Sequence, residues 1–180
     1  MDFTRVWRYS ASMVRVLEIE HLPIRLTERG QWLHGSTPMH PRVAALFARS
    51  ILPHPDGRYS VVVGKDEELI DVEDAAFFVE SMTLVDREQG GLLSVDLRLS
   101  DGREQALDPS GLMVSEKNVL YVRILRHGLL VPCRFPPSLY HRLALYVEED
   151  PNETFVLPLG GRSWPIGSYD RRPIRKSEKD

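Results

Sequence analysis

Trp32, His34, Ser36, Thr37 and His40 put an indole, two imidazoles and two hydroxyls into one short stretch of chain. Imidazoles so spaced suit metal ligation or acid–base work, and hydroxyls near a helix start suit an anion. A bound metal needs a further ligand, which Asp71 or Glu73 supplies if the fold brings it close. Lys65 adds a cation in a later turn. The candidate ligand-binding residues are therefore Trp32, His34, Thr37, His40 and Lys65. The competing reading of the histidine loop is a structured turn that caps the helix after it. Two histidines match no recognised ligand pattern, so no catalytic residue, metal set or cofactor is assigned.

Other constellations are incomplete. Asp66, Glu67, Glu68, Asp71, Glu73 and Asp74 form an acidic run without the spacing or distal glutamate of a calcium loop. It reads as a charged sheet edge that discourages aggregation. Cys133 with His127 or His141 has the elements of a nucleophile and base, yet it stands in an apolar strand, where free cysteine behaves as a small buried hydrophobe. Gly160-Gly161-Arg162-Ser163 resembles an anion nest but lacks the lysine and the strand–helix setting of a phosphate loop.

The elements that position these groups follow from periodicity and punctuation. Ile24–Leu26 and Gln31–His34 flank Thr27–Gly30, a short hairpin. Pro41 opens a helix whose stripe is Val43, Leu46, Phe47 and Ile51, ending before Pro53. Tyr59–Val63, Leu69–Val72 and Phe77–Val85 read as strands. Leu93, Val95, Leu97 and Leu99 alternate with polar residues as one face of another. Asp108 to Asn118 reads as loop. Val119–Leu125 and Leu129–Phe135 form a hairpin about Arg126-His127-Gly128, and Leu139, Leu143, Tyr146 and Val147 mark a second helix. Phe155–Leu159 is one further short strand.

At 180 residues, 42% hydrophobic and 27% charged, the chain suits one domain or two small ones sharing an interface. The net charge of -3 gives no electrostatic footprint for nucleic acid. A single cysteine excludes an intrachain disulfide framework and fits a reducing compartment. No apolar run is long enough for a bilayer, and charges interrupt the amino terminus, so the expected location is cytoplasmic, away from membrane. The expected organisation is an amino-terminal arm or helix over 1–21, an α+β half over 22–87, a second over 88–167, and a disordered basic tail over 168–180.

The stretch Gly30-Gln31-Trp32-Leu33-His34-Gly35-Ser36-Thr37-Pro38, the helix carrying Leu46-Phe47-Ala48, Asp56-Gly57-Arg58-Tyr59 and Asp71-Val72-Glu73-Asp74-Ala75-Ala76-Phe77 resemble a bacterial family, domain of unknown function 1285. Tyr121-Val122-Arg123 and the helix from Tyr140 to Tyr146 are similar to its carboxy-terminal part. The resemblance spans Leu22 to Val147. It implies an α+β fold of two small, related halves, each a mostly antiparallel sheet with one packed helix. It implies no established activity, cofactor or catalytic residue.

The expected function is a non-enzymatic module that binds a small molecule or a protein partner, in signalling, at the seam between the halves. Its alternatives are a metal-dependent or acid–base hydrolase built on the His34/His40 loop, and a structural adaptor docking through a sheet edge or the basic tail. Homo-oligomer formation stays open at this point.

Overall fold

Short strands separated by glycine turns make up most of the chain. The computed structural model describes residues 22–87 and 91–176. The expected arm or helix over 1–21 lies outside the described residues.

The first sheet takes β1 (Ile24–Leu26), β2 (Trp32–His34) and β3 (Thr37–Pro38), then α1 (Pro41–Arg49), then β4 (Ile51–Pro53), β5 (Tyr59–Val63) and β6 (Asp66–Val72). Its order is β3-β2-β1-β6-β5-β4, antiparallel except for the parallel β1–β6 pair. α1 joins the two edge strands, β3 and β4, so it has to cross one face of the sheet. His40 caps its start: Arg42 N–H donates to His40 Nδ1 at 3.2 Å, satisfying one of the amides a helix leaves free. The helix stops at Arg49, because Ile51–Pro53 pairs with β5 and is not a further helical turn. Its stripe is only partly covered. Ala48 is buried and Phe47 half-buried, while Val43 and Leu46 are exposed.

The second sheet takes β7 (Phe77–Asp86), β8 (Leu92–Leu99), β9 (Glu104–Ala106), β10 (Leu112–Val114), β11 (Leu120–Arg126), β12 (Leu129–Arg134), α2 (Pro137–Ala144), β13 (Glu148–Glu149), β14 (Phe155–Leu159), β15 (Arg162–Pro165), β16 (Gly167–Ser168) and β17 (Ile174–Arg175). The main path is β13-β14-β8-β7-β12-β11-β10-β16. Most pairs are antiparallel; β7–β12, β8–β14 and β10–β16 run parallel. The expected α+β class, two mostly antiparallel sheets with a helix apiece, is the one observed.

Three local readings differ from the structure. The change of sheet falls between Val72 and Phe77, before β7 and not after it, since β7 pairs with β8 and β12. Leu93 is 54% exposed and Leu92 buried: the register shift at Val85/Asp86 makes Leu93 the extra residue of a bulge. Leu112–Val114, inside the expected loop, is a strand held between β11 and β16. Gly160 and Gly161, at φ 61° and 82°, are the two-residue turn of the β14–β15 hairpin.

The tail also differs from expectation as far as Lys176; residues 177–180 lie outside the described residues. Arg123 Nη1 donates to the Arg172 carbonyl at 3.0 Å and its Nη2 to that of Asp170 at 3.1 Å. Arg171 donates to the Val72 carbonyl of the first sheet. Arg123 of β11 thus grips the tail's backbone, and Arg171, which composition assigns to a solvated tail, ties it to the first sheet.

One apolar cluster runs through the molecule, from Leu26, Tyr59 and Val61 in the first sheet to Phe77, Leu97, Phe135 and Leu157 in the second. The halves therefore share a core. At the junction Ala75 and Ala76 are fully covered, small enough for the sheets to close upon them. Gly30, at φ 79°, lets the β1–β2 turn lie on the Phe78 ring, 3.5 Å from where a Cβ would stand.

Candidate functional site

Where the sheets meet, a cleft of about 630 Å³ opens beside the Glu73–Ala76 junction. Glu73 N–H donates to the Leu26 carbonyl at 3.0 Å, prolonging the parallel β1–β6 ladder to the edge of the cleft. The opposite wall is β10, β11 and the tail, where Tyr169 N–H donates to the Val114 carbonyl at 3.0 Å. The β10–β11 turn overhangs it and carries Glu116 and Lys117 at its exposed tip.

At its heart Asp74 joins the two sheets. Arg134 Nη1 donates to Asp74 Oδ2 at 2.5 Å, and the Tyr121 hydroxyl donates to the same oxygen at 2.8 Å. The parallel β7–β12 register sets Arg134 opposite Phe78, a few residues past Asp74. Both charges are largely covered, at 17% and 18% side-chain exposure. Tyr121 stacks on Tyr169 with ring centroids 4.0 Å apart, over a small apolar cluster with Ala75 and Met113. Burial, then the bond to Asp74, holds the Tyr121 phenol well above its ordinary range. Burial pushes Tyr169 up to about 12. Around the rim, the Glu73 carboxylate accepts the Glu28 N–H at 3.0 Å. Glu28, Glu73, Asp74 and Glu116 stand against Lys117 and Arg134, so the cleft is acidic on balance.

The residues singled out from sequence lie elsewhere. His34, Thr37 and His40 come together beside Leu22, Met39 and Phe47 along a shallow groove of about 520 Å³ next to α1. Trp32 is 6% exposed and meets Phe47 edge-on at 5.7 Å, so it belongs to the core beneath that groove. Lys65 sits in the turn joining Val63 to Asp66, exposed. On strand spacing it lies about 16 Å along the sheet from the level of His34, which pairs with Ile24 opposite Ile70. None of the five lines the seam cleft.

Two further clusters have the residue types of a catalytic site. Ser60 donates to Glu67 Oε1 at 2.7 Å and lies 2.9 Å from His54 Nε2. A hydroxyl has one hydrogen, so His54 Nε2 carries the proton that faces Ser60. Ser60 is fully buried and the carboxylate approaches the same imidazole nitrogen as the hydroxyl. This is the reverse of a nucleophile–base relay, in which the carboxylate holds the other nitrogen. Cys133 is fully buried and burial pushes its thiol upward, which keeps it protonated. Among the described residues no three His, Cys, Asp or Glu side chains converge as a metal site.

No family model matches the chain, and no curated protein matches it. Among solved structures it is similar to a DUF1285 family protein from Silicibacter pomeroyi DSS-3, with a TM-score of 0.65 and 18% identity over 82% of this chain and 80% of that one. The chain has the DUF1285 fold. A second DUF1285 family protein, from Shewanella baltica OS155, superposes with a TM-score of 0.54 and 15% identity over 69% of this chain and 91% of that one. The resemblance read from Gly30–Pro38 and Asp71–Phe77 thus holds at the level of the DUF1285 fold.

Sequence reasoning gave Tyr121, Arg134 and Tyr169 no role and read Asp74 only as part of a charged sheet edge, because the partners of each lie in distant stretches of chain. One signal was available. Arg134 interrupts the apolar run Leu129–Phe135, and a guanidinium so placed needs a partner.

Proposed function

We propose that this protein is a non-enzymatic binding module that takes a small polar ligand in the cleft between its two sheets. The observation that carries this reading is the Arg134–Asp74–Tyr121 network, which fixes charged and aromatic groups from both sheets around one concave space. Clefts at the junction of two structural units, with a few oriented polar groups over an apolar floor, are favoured ligand sites. The acidic balance favours a neutral or cationic ligand over an anion. A ligand there touches the end of β6 and the turn after β10 together, so its binding bears on how the halves sit, which suits a sensing role in signalling.

A thermal-shift screen of amino acids, amines and nucleotides tests this on the intact chain. A ligand at about a hundred times its Kd stabilises by about 2.7 kcal/mol. For a chain of this size that raises the melting temperature by about 5–10 °C. The shift should shrink in Glu28→Gln/Glu116→Gln, at the exposed rim, and persist in His34→Ala, in the α1 groove. No shift across the panel, or one lost only in His34→Ala, overturns the reading.

A further inference from the structure

At the far end of the β11–β12 hairpin from the cleft is a second recess, of about 380 Å³. His54 enters it from the turn after β4, His127 from the hairpin turn, and Arg175 and Lys176 from the tail. Leu52 and Pro55 give it an apolar side, and among the described residues no carboxylate lines it, although the chain as a whole is acidic.

The backbone around this recess is well held. His127 and Gly128, at φ 49° and 76°, form the two-residue turn between Arg126 and Leu129. Such a turn needs positive φ at both positions, which Asn-Gly meets more cheaply than His-Gly. Arg175 pairs with Leu129, and Lys176 N–H donates to the Gly128 carbonyl at 3.2 Å. Pro173 lies against Gly57, 3.7 Å from where a Cβ would be, so the tail is wedged beside the His54 turn. Two acids close in sequence or contact to the His54 turn are engaged: Asp56 by Arg58 at 2.7 Å, and Glu67 by Ser60 and by His54 Nε2, 3.4 Å away.

We propose that this recess is a second binding site, which takes the phosphate of a small phosphomonoester with its organic part against Leu52 and Pro55. The Arg175 guanidinium, the Lys176 ammonium and the His127 imidazole are hydrogen-bond donors when charged, and His54, whose Nε2 faces Ser60 and Glu67, has only its other ring nitrogen to add. Together they match a doubly charged group with three outward oxygens better than a carboxylate with one charge. The assignment is independent of the seam cleft, whose acidic rim would repel the same anion.

The test is titration of the intact chain with phenyl phosphate, inorganic phosphate and benzoate, followed by amide nitrogen–proton correlation spectra. Phenyl phosphate should perturb the His127, Gly128, Leu129 and Lys176 amides saturably, inorganic phosphate more weakly, and benzoate not at all. Arg175→Gln/Lys176→Gln, confined to exposed side chains, should weaken phenyl phosphate roughly tenfold, the loss of about one charge-assisted bond. His127→Asn, which keeps the left-handed turn, should weaken it as well. Unsaturable shifts, an equal response to benzoate, or unchanged affinity in the double variant would overturn the site. Equal affinity for inorganic phosphate would overturn the phosphomonoester assignment. A phenyl phosphate footprint on Asp74, Tyr121 and Tyr169 would move the anion to the cleft, overturning this proposal and the charge preference given to the cleft but not the cleft as a binding site.

Discussion

Asp74 is where the local electrostatics of the protein concentrate. Replacing it with Asn leaves the Arg134 guanidinium covered and uncompensated, at a cost of about 3 kcal/mol, which denaturant unfolding should show. The same variant should bring the Tyr121 phenol down toward its ordinary range in an alkaline ultraviolet titration, because one cause of its elevation is gone. Asp101 offers a comparison. It accepts from Arg126 Nε at 2.6 Å with both side chains 6% exposed, and Arg126 lies over the Phe77 ring. Asp101→Asn should cost about 3–5 kcal/mol, whereas Asp56→Asn, at the exposed Arg58 pair, should leave the unfolding midpoint nearly unchanged. Tyr59 gives a signed pH effect. Burial raises its phenol to about 12 from an ordinary 10, so the fold favours the neutral form. That contribution is fully present below pH 10 and is lost as pH climbs toward 12. Unfolding measured across that window should lose stability, and Tyr59→Phe should lose less. At this scale the sequence was legible where chemistry is local, as in His40 capping α1. It was silent where partners are remote, since nothing near Asp74 names Arg134.

Elements were easier to read than their pairings. Glycine and proline set most strand and helix limits correctly, and alternation found β8. The Leu93 bulge escaped because a single extra residue leaves no mark in composition. The tail escaped for a different reason. Its order rests on Arg123 and on the Val72 carbonyl, neither of which lies in the tail's own sequence. Arg123→Met should therefore speed hydrogen exchange at amides from Ser168 to Lys176 while leaving β7 and β8 protected. Gly111 tests the turn into β10. A Cβ there would stand 3.1 Å from the Arg123 backbone nitrogen, and backbone in a paired strand cannot move aside. Gly111→Ala should cost about 1–3 kcal/mol in denaturant unfolding, more than a glycine replacement in an open turn.

Across the molecule, two sheets share one core, and that sharing decides how the protein behaves. The α+β class and the pair of helices were legible from hydrophobic periods. Where the chain changes sheet was not, because β7 reads equally well as the last strand of one half or the first of the next. Only its partners, β8 and β12, settle the matter. A common core predicts one cooperative thermal transition, with calorimetric and van't Hoff enthalpies equal; two resolved transitions would mean that the halves hold together separately. The seam is also the place where groups from distant positions meet, and the proposed binding site rests on that and not on the more conspicuous histidine loop. The most direct measurement is the chemical-shift footprint of a stabilising small ligand on the intact chain. The account predicts saturable changes centred on Glu73, Asp74, Ser115, Tyr121 and Tyr169, with α1 undisturbed. A footprint centred on His34, His40 and Val43 would contradict it.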